Sequence, residues 1–119
     1  MDILEIGMKI KTSELTGAAL DWAVAKCEGL DYWYPEIGPS QPEYSTDWSQ
    51  GEPIIEREGI KIHKGNDLYF PKGNEKSDYY EPLWVAGKQH GQTPLIAAMR
   101  CYVASKLGDT VELPQDLIN

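Results

Sequence analysis

The stretch from Gly91 to Asp109, "GQTPLIAAMRCYVASKLGD", constrains the fold more than any other part of the chain. Thr93 stands where a helix cap belongs, Pro94 at the first helical position and Gly108 at the stop. Leu95, Ile96, Met99, Tyr102, Val103 and Leu107 recur at helical spacing and make one broad apolar face. The opposite side is small: Ala97, Ala98, Cys101, Ala104 and Ser105. Arg100 and Lys106 are the only charges between the cap and the stop. A helix that is apolar or small all round has to be covered on more than one side. One side should meet a sheet. The small side can meet the first helix, which offers Ala18 and Ala25, or a second copy in a homodimer.

The rest of the chain supplies short elements. "MKIKT" alternates Met8, Ile10 and Thr12 against Lys9 and Lys11, which predicts a strand with one buried face. In "SELTGAALDWAVAKCEG", Ser13 or Thr16 can cap a helix and Gly29 can end it. Leu20, Ala23, Val24 and Cys27 should face the core, with Asp21 and Glu28 off that face. "EPIIERE" predicts a short helix with Pro53 in its first turn and Gly59 at its close. "IKIH" reads as a strand, the segment from Lys64 to Ser77 as a turn or long loop, and "YEPLWVAGK" as a strand with Leu83 and Val85 on one face and Trp84 on the other. "DTVELP" adds an edge strand. The expected class is α+β: a small, largely antiparallel sheet layered with two main helices, in an α/β/α sandwich-like arrangement. It forms one domain over residues 8–114, between a leader at 1–7, ahead of an alternative start at Met8, and a tail at 115–119.

One stretch fits no regular element. "GLDYWYPEIGPSQPEYSTDW" holds five of the chain's twelve aromatics, Tyr32, Trp33, Tyr34, Tyr44 and Trp48, and three of its eight prolines. Any single ring can serve as a lid on the core. Five rings beside Pro and Gly exceed what a lid needs. Tyr and Trp present flat apolar area with a polar handle, which suits planar ligands and protein hot spots. The loop is expected to fold over one or the other.

Charge and motifs narrow the chemistry. A net charge of −8 argues against direct nucleic-acid binding, which rests on neutralising phosphates, and against acidic membranes. No apolar run approaches the ~20 residues of a membrane span. Cys27 and Cys101 lie far apart without motif spacing, as reduced thiols of a cytoplasm do. No Cys or His pair has metal spacing, and neither a phosphate loop nor a nucleophile elbow is present. No metal, cofactor or catalytic activity is therefore expected, although Asp47 and His90 can make an acid–base pair after folding. His63 and His90 stand in unrelated contexts. "HGQTP" offers free N–H groups at a positive helix end, suited to an anion or to ordinary capping by Thr93. Arg100 can pair with a carboxylate such as Asp21, Asp47 or Glu56, or grip a phosphate with two donors.

Together "IKTSELTGAALDWAVAKCEG", "YSTDWSQGEPIIEREGI", "WVA" at 84–86 and "GQTPLIAAMRCYVASKLGD" resemble the NinX-like phage proteins, small accessory proteins associated with the nin region of lambdoid bacteriophages. They are also similar to a wider group of phage α/β/α sandwich domains with an L-D-x-x-V-A helix and a W-x-A … A-x-R ending. The resemblance covers residues 8 to about 114. It implies expression in the cytoplasm of an infected bacterium, where accessory phage genes often counter host defences. Three activities fit: a module that sequesters a small nucleotide signal, an inhibitor that occludes a host enzyme, and an enzyme that acts on such a nucleotide. The first is the leading expectation. Trp33, Tyr34, Asp47, Trp48, Thr93 and Arg100 are then expected to converge on one pocket. Trp33 or Trp48 stacks on the base, Asp47 accepts from base or ribose donors, and Thr93 and Arg100 hold phosphate.

Overall fold

The computed structural model describes residues 8–30, 42–65 and 84–114. In chain order they form β1 (Met8–Lys11), a single 3-10 turn (Thr12–Glu14), α1 (Gly17–Cys27), α2 (Trp48–Glu58), β2 (Ile62–Lys64), β3 (Trp84–Ala86), β4 (Gln89–Gly91), α3 (Pro94–Leu107) and β5 (Thr110–Leu113). The class is α+β. The strands make two antiparallel sheets rather than one: β1 pairs with β5, and β2, β3 and β4 form a three-stranded sheet in that order. The leader, the tail, Leu83 and most of the aromatic loop lie outside the described residues.

The last helix forms within the predicted limits. The Thr93 side chain accepts a hydrogen bond from Ile96 N–H at 3.0 Å, Pro94 opens the first turn, and Gly108 follows the last. Leu95, Ala97, Ala98, Met99, Tyr102 and Val103 are buried, so both sides are covered. The small side meets the β3–β4 hairpin. A Cβ built on Gly91 falls 2.5 Å from the Ala97 nitrogen, and one on Gly87 falls 3.1 Å from Cys101 Sγ. Strand and helix approach so closely there that β4 has room only for glycine at 91. The hairpin thus covers the Ala97 and Cys101 part of the small face, while Ala98 joins the core with α1 and Ser105 stays exposed. The broad apolar side joins one core with Leu15, Leu20, Val24, Ile54, Val111 and Leu113.

The flanking elements close around this helix by local rules. Val111 and Leu113 are buried while Thr110 and Glu112 are exposed, the alternation of a strand with one wet face. Met8, opposite Leu113, is 48% exposed, so the buried face predicted for β1 is carried by Ile10 and Thr12. Thr12 is fully buried; its N–H donates to Asp109 O and its hydroxyl to Gly108 O, locking β1 to the turn before β5. α1 ends with Leu30 N–H on Ala25 O and Gly29 N–H on Lys26 O, the two-bond glycine closure. α2 begins well before "EPIIERE". Asp47 caps it by accepting from Ser49 N–H at 3.0 Å, which starts the helix at Trp48 and leaves Pro53 in its interior.

Asp21 departs from the expected outward position. It is buried, and its Oδ1 accepts the Ser45 N–H at 2.8 Å. The turn before α2 has a buried donor, and Asp21 satisfies it. Burial pushes its carboxyl above the ordinary aspartate range, while the Ser45 hydroxyl and N–H pull the other way. At the far ends of the helices, Arg57 on α2 donates to both oxygens of Glu28 at 3.2 and 2.6 Å and to Tyr102 Oη at 3.0 Å. The Tyr102 hydroxyl donates to Glu28 in turn. Arg57, with Tyr102 second, holds the Glu28 carboxyl below its usual range. The Arg57 side chain is half exposed, so this triangle, which ties the ends of α1 and α2 to the body of α3, adds little stability.

Two outcomes are expected. Folding favours protonated Asp21, so its contribution is fully present below the ordinary aspartate range and is lost as pH rises through the raised value. Asp21→Asn keeps the acceptor without the charge, and its melting temperature at pH 7 should equal or exceed the parent's. Asp21→Ala strands the Ser45 N–H and should lose about 1–3 kcal/mol in urea unfolding. Gly91→Ala should lose a similar amount, about 1–3 kcal/mol, by overpacking β4 against α3.

Candidate functional site

Two helix starts meet at one open groove. α2 begins at Trp48 behind its Asp47 cap, and α3 begins at Pro94 behind its Thr93 cap. Between them Ser45, Thr46, Trp48, Thr93, Pro94, Leu95 and Ile96 line a groove of about 300 Å³. Trp48 is 52% exposed, the largest ring the described residues leave to solvent. The groove floor is set by packing. A Cβ on Gly51 falls 2.5 Å from Leu95 Cδ1 and 2.7 Å from Tyr44 O, so α2 lies hard on the first turn of α3. The Asp21–Ser45 bond anchors the turn that leads into Trp48. Both helix dipoles present their positive ends here.

A second cleft, of about 520 Å³, lies on the other side of Ile96. It is lined by Ser13, Thr16, His90, Gly91, Gln92, Ile96 and Arg100. Arg100 reaches it from the second turn of α3. Its Nε donates to Leu15 O at 2.8 Å and its Nη1 to His90 O at 2.7 Å. The guanidinium therefore bridges the loop before α1 to β4. Burial lowers its pKa from the ordinary arginine value. Among the described residues, neither cleft is lined by an Asp or a Glu.

The six residues predicted to converge are distributed as follows. Trp48 and Thr93 share the first groove. Arg100 lines the second cleft, with Ile96 common to both. Arg100 takes carbonyls rather than a carboxylate from Asp21, Asp47 or Glu56. Asp47 lines neither cleft and is occupied by its own helix. It accepts from Ser49 N–H and Oγ and from Gln50 Nε2, and these bonds hold its carboxyl below the ordinary range. Trp33 and Tyr34 lie outside the described residues.

Ser13 and Thr16 in the second cleft were not foreseen as site residues, and His90, weighed as an acid–base partner of Asp47, lines this cleft without it. Ser13 and Thr16 read only as alternative caps, yet the Thr16 side chain makes no cap hydrogen bond. His63 and His90, expected in unrelated contexts, stand in one cross-strand row with Val85 between them. Two strand spacings separate them by roughly 10 Å. Among the described residues, no group of three or more His, Cys, Asp or Glu is placed to hold a metal ion. No helix of the described residues is long and apolar enough to cross a membrane.

The family model described as Bacteriophage P22, NinX matches residues 11–106, which include every described element from the end of β1 through all but the last residue of α3. No curated protein matches the chain significantly. The chain belongs to the NinX family of bacteriophage proteins.

Proposed function

We propose that this phage accessory protein is a non-catalytic binding module for a small nucleotide-like ligand, and that it withdraws a nucleotide signal from a defence response in the cytoplasm of the infected host. The half-exposed Trp48 ring, in a groove that no carboxylate of the described residues lines, carries the reading. An exposed Trp is costly to keep in water unless something covers it. Stacking of a base on such a ring contributes about 1–3 kcal/mol. The groove's size lies at the lower end of small-molecule sites, which run from about 300 Å³ upward. The Thr46 and Thr93 hydroxyls and the two helix starts give polar contacts at its rim.

A second reading, an inhibitor that occludes a host enzyme, draws on the same ring, because Trp is a frequent hot spot in protein interfaces. The concavity and the absence of carboxylates among its described lining residues favour the small ligand. The two are separated by incubating the protein with infected-cell extract and reading the metabolites by mass spectrometry. One small molecule retained intact is expected. Its destruction signals an enzyme, and retention of a host protein alone signals an inhibitor.

The site itself is tested by Trp48→Ala, which leaves the buried core untouched. Calorimetry with the recovered ligand should show affinity reduced roughly tenfold or more, the loss of one stacked base. Binding equal to the parent's places the ligand elsewhere.

A further inference from the structure

We infer that the cleft at Arg100 is a binding site for a small oxyanion, a phosphate monoester or a carboxylate, held by the Arg100 guanidinium with the Ser13 and Thr16 hydroxyls and the His90 ring around it. The inference rests on the binding-module reading and adds the class of group that the second cleft takes.

The guanidinium is fixed and incomplete. Two of its five N–H donors are spent on the Leu15 and His90 carbonyls, which hold the planar fork in one orientation. Nη2 makes no hydrogen bond with the described residues, and none of their carboxylates lies within 4.0 Å of Arg100; both ion pairs among them belong to Arg57. Carbonyl dipoles orient a cation without neutralising it. A half-buried charge without a counter-ion is costly, as its burial-lowered pKa also indicates. A two-oxygen anion supplies the missing charge and can take parallel bonds from the fork.

The surroundings point the same way. Among the described residues, this cleft shows Arg100 and His90 and no acidic side chain. The Thr16 hydroxyl is also not used as a cap. Thr16 stands at the start of α1, yet its side chain makes no cap bond there, unlike Asp47 and Thr93 on the other two helices. A purely structural role for Arg100, strapping two carbonyls together, leaves Nη2 without a use among the described residues.

The test is a nitrogen-15 NMR titration of the full chain at low ionic strength with four probes: inorganic phosphate, acetate, adenosine and adenosine 5′-monophosphate. Phosphate and acetate should shift the amides of residues 13–17 and of Gly91 saturably, and the stronger of the two identifies the preferred anion. Arg100→Gln should weaken phosphate roughly tenfold, the loss of a charge-assisted contact. Because Arg100 also straps two loops, the Ser13→Ala, Thr16→Val double variant runs beside it and should weaken phosphate several-fold with an unchanged melting curve. Phosphate affinity unchanged in that double variant, or in a folded Arg100→Gln, overturns the inference. So does the absence of saturable shifts at 13–17 with phosphate, acetate and the monophosphate. If adenosine and the monophosphate shift only the Trp48 groove, the anion site is wrong and the ring site stands. If phosphate binds at 13–17 and adenosine shifts nothing, the ring site is wrong and the anion site stands.

Discussion

A helix without a polar face has to be wrapped, and the described architecture follows from wrapping α3. Its residues Ala97, Ala98, Met99 and Val103 are wholly buried, and Leu95 and Tyr102 nearly so. Each large apolar side chain removed from water contributes about 1.5–3 kcal/mol, less the entropy of ordering it. No single neighbour can cover such a surface. The β3–β4 hairpin takes the small side, where Gly91 lets the strand approach to backbone distance. α1, α2 and the β1–β5 pair take the apolar side through Leu20, Val24, Ile54, Val111 and Leu113. The short strands and the split sheet are consequences: each piece of sheet is a cover for one part of the helix rather than a platform of its own.

The same constraint places the clefts. The covers diverge around the first turns of α3, and both openings lie there. α2 leans in on one side through Gly51, and β4 leans in on the other through Gly91. Ile96 stands between them and borders both openings. Arg100 emerges on the β4 side, where the Leu15 and His90 carbonyls are the groups within reach. The acidic side chains of α2, such as Glu56 and Glu58, belong to its exposed outer surface. Among the described residues, these carboxylates thus stand outside both openings.

What was legible in the sequence was whatever depends on local rules over a long enough window. The limits of α3 follow from Thr93, Pro94 and Gly108, and the end of α1 follows from Gly29. β1 and β5 show their period of two. β4 was not legible, because three residues ending in glycine carry no period and Gly91 is explained only by the helix beneath it. The start of α2 was obscured by Pro53, since a proline reads as a first turn whereas the Asp47 side chain sets the true one. Asp21 looked like a surface residue because its purpose, a partner for the Ser45 N–H, lies 24 positions away. Within the candidate site, Trp48 and Thr93 were legible from composition and capping. The separation of Arg100 from them was not, because it depends on how α2 and β4 flank one helix turn.

Native-state hydrogen exchange measures the wrapping of α3 most directly. The account predicts that the amides of residues 98–104 are the slowest in the protein, and that those at the two clefts, near Ile96 and Ala97, open earlier. It also predicts that this pattern is independent of protein concentration, because the chain covers its own helix. Rapid exchange along the middle of α3, or protection that grows with concentration as a second copy binds, would contradict it.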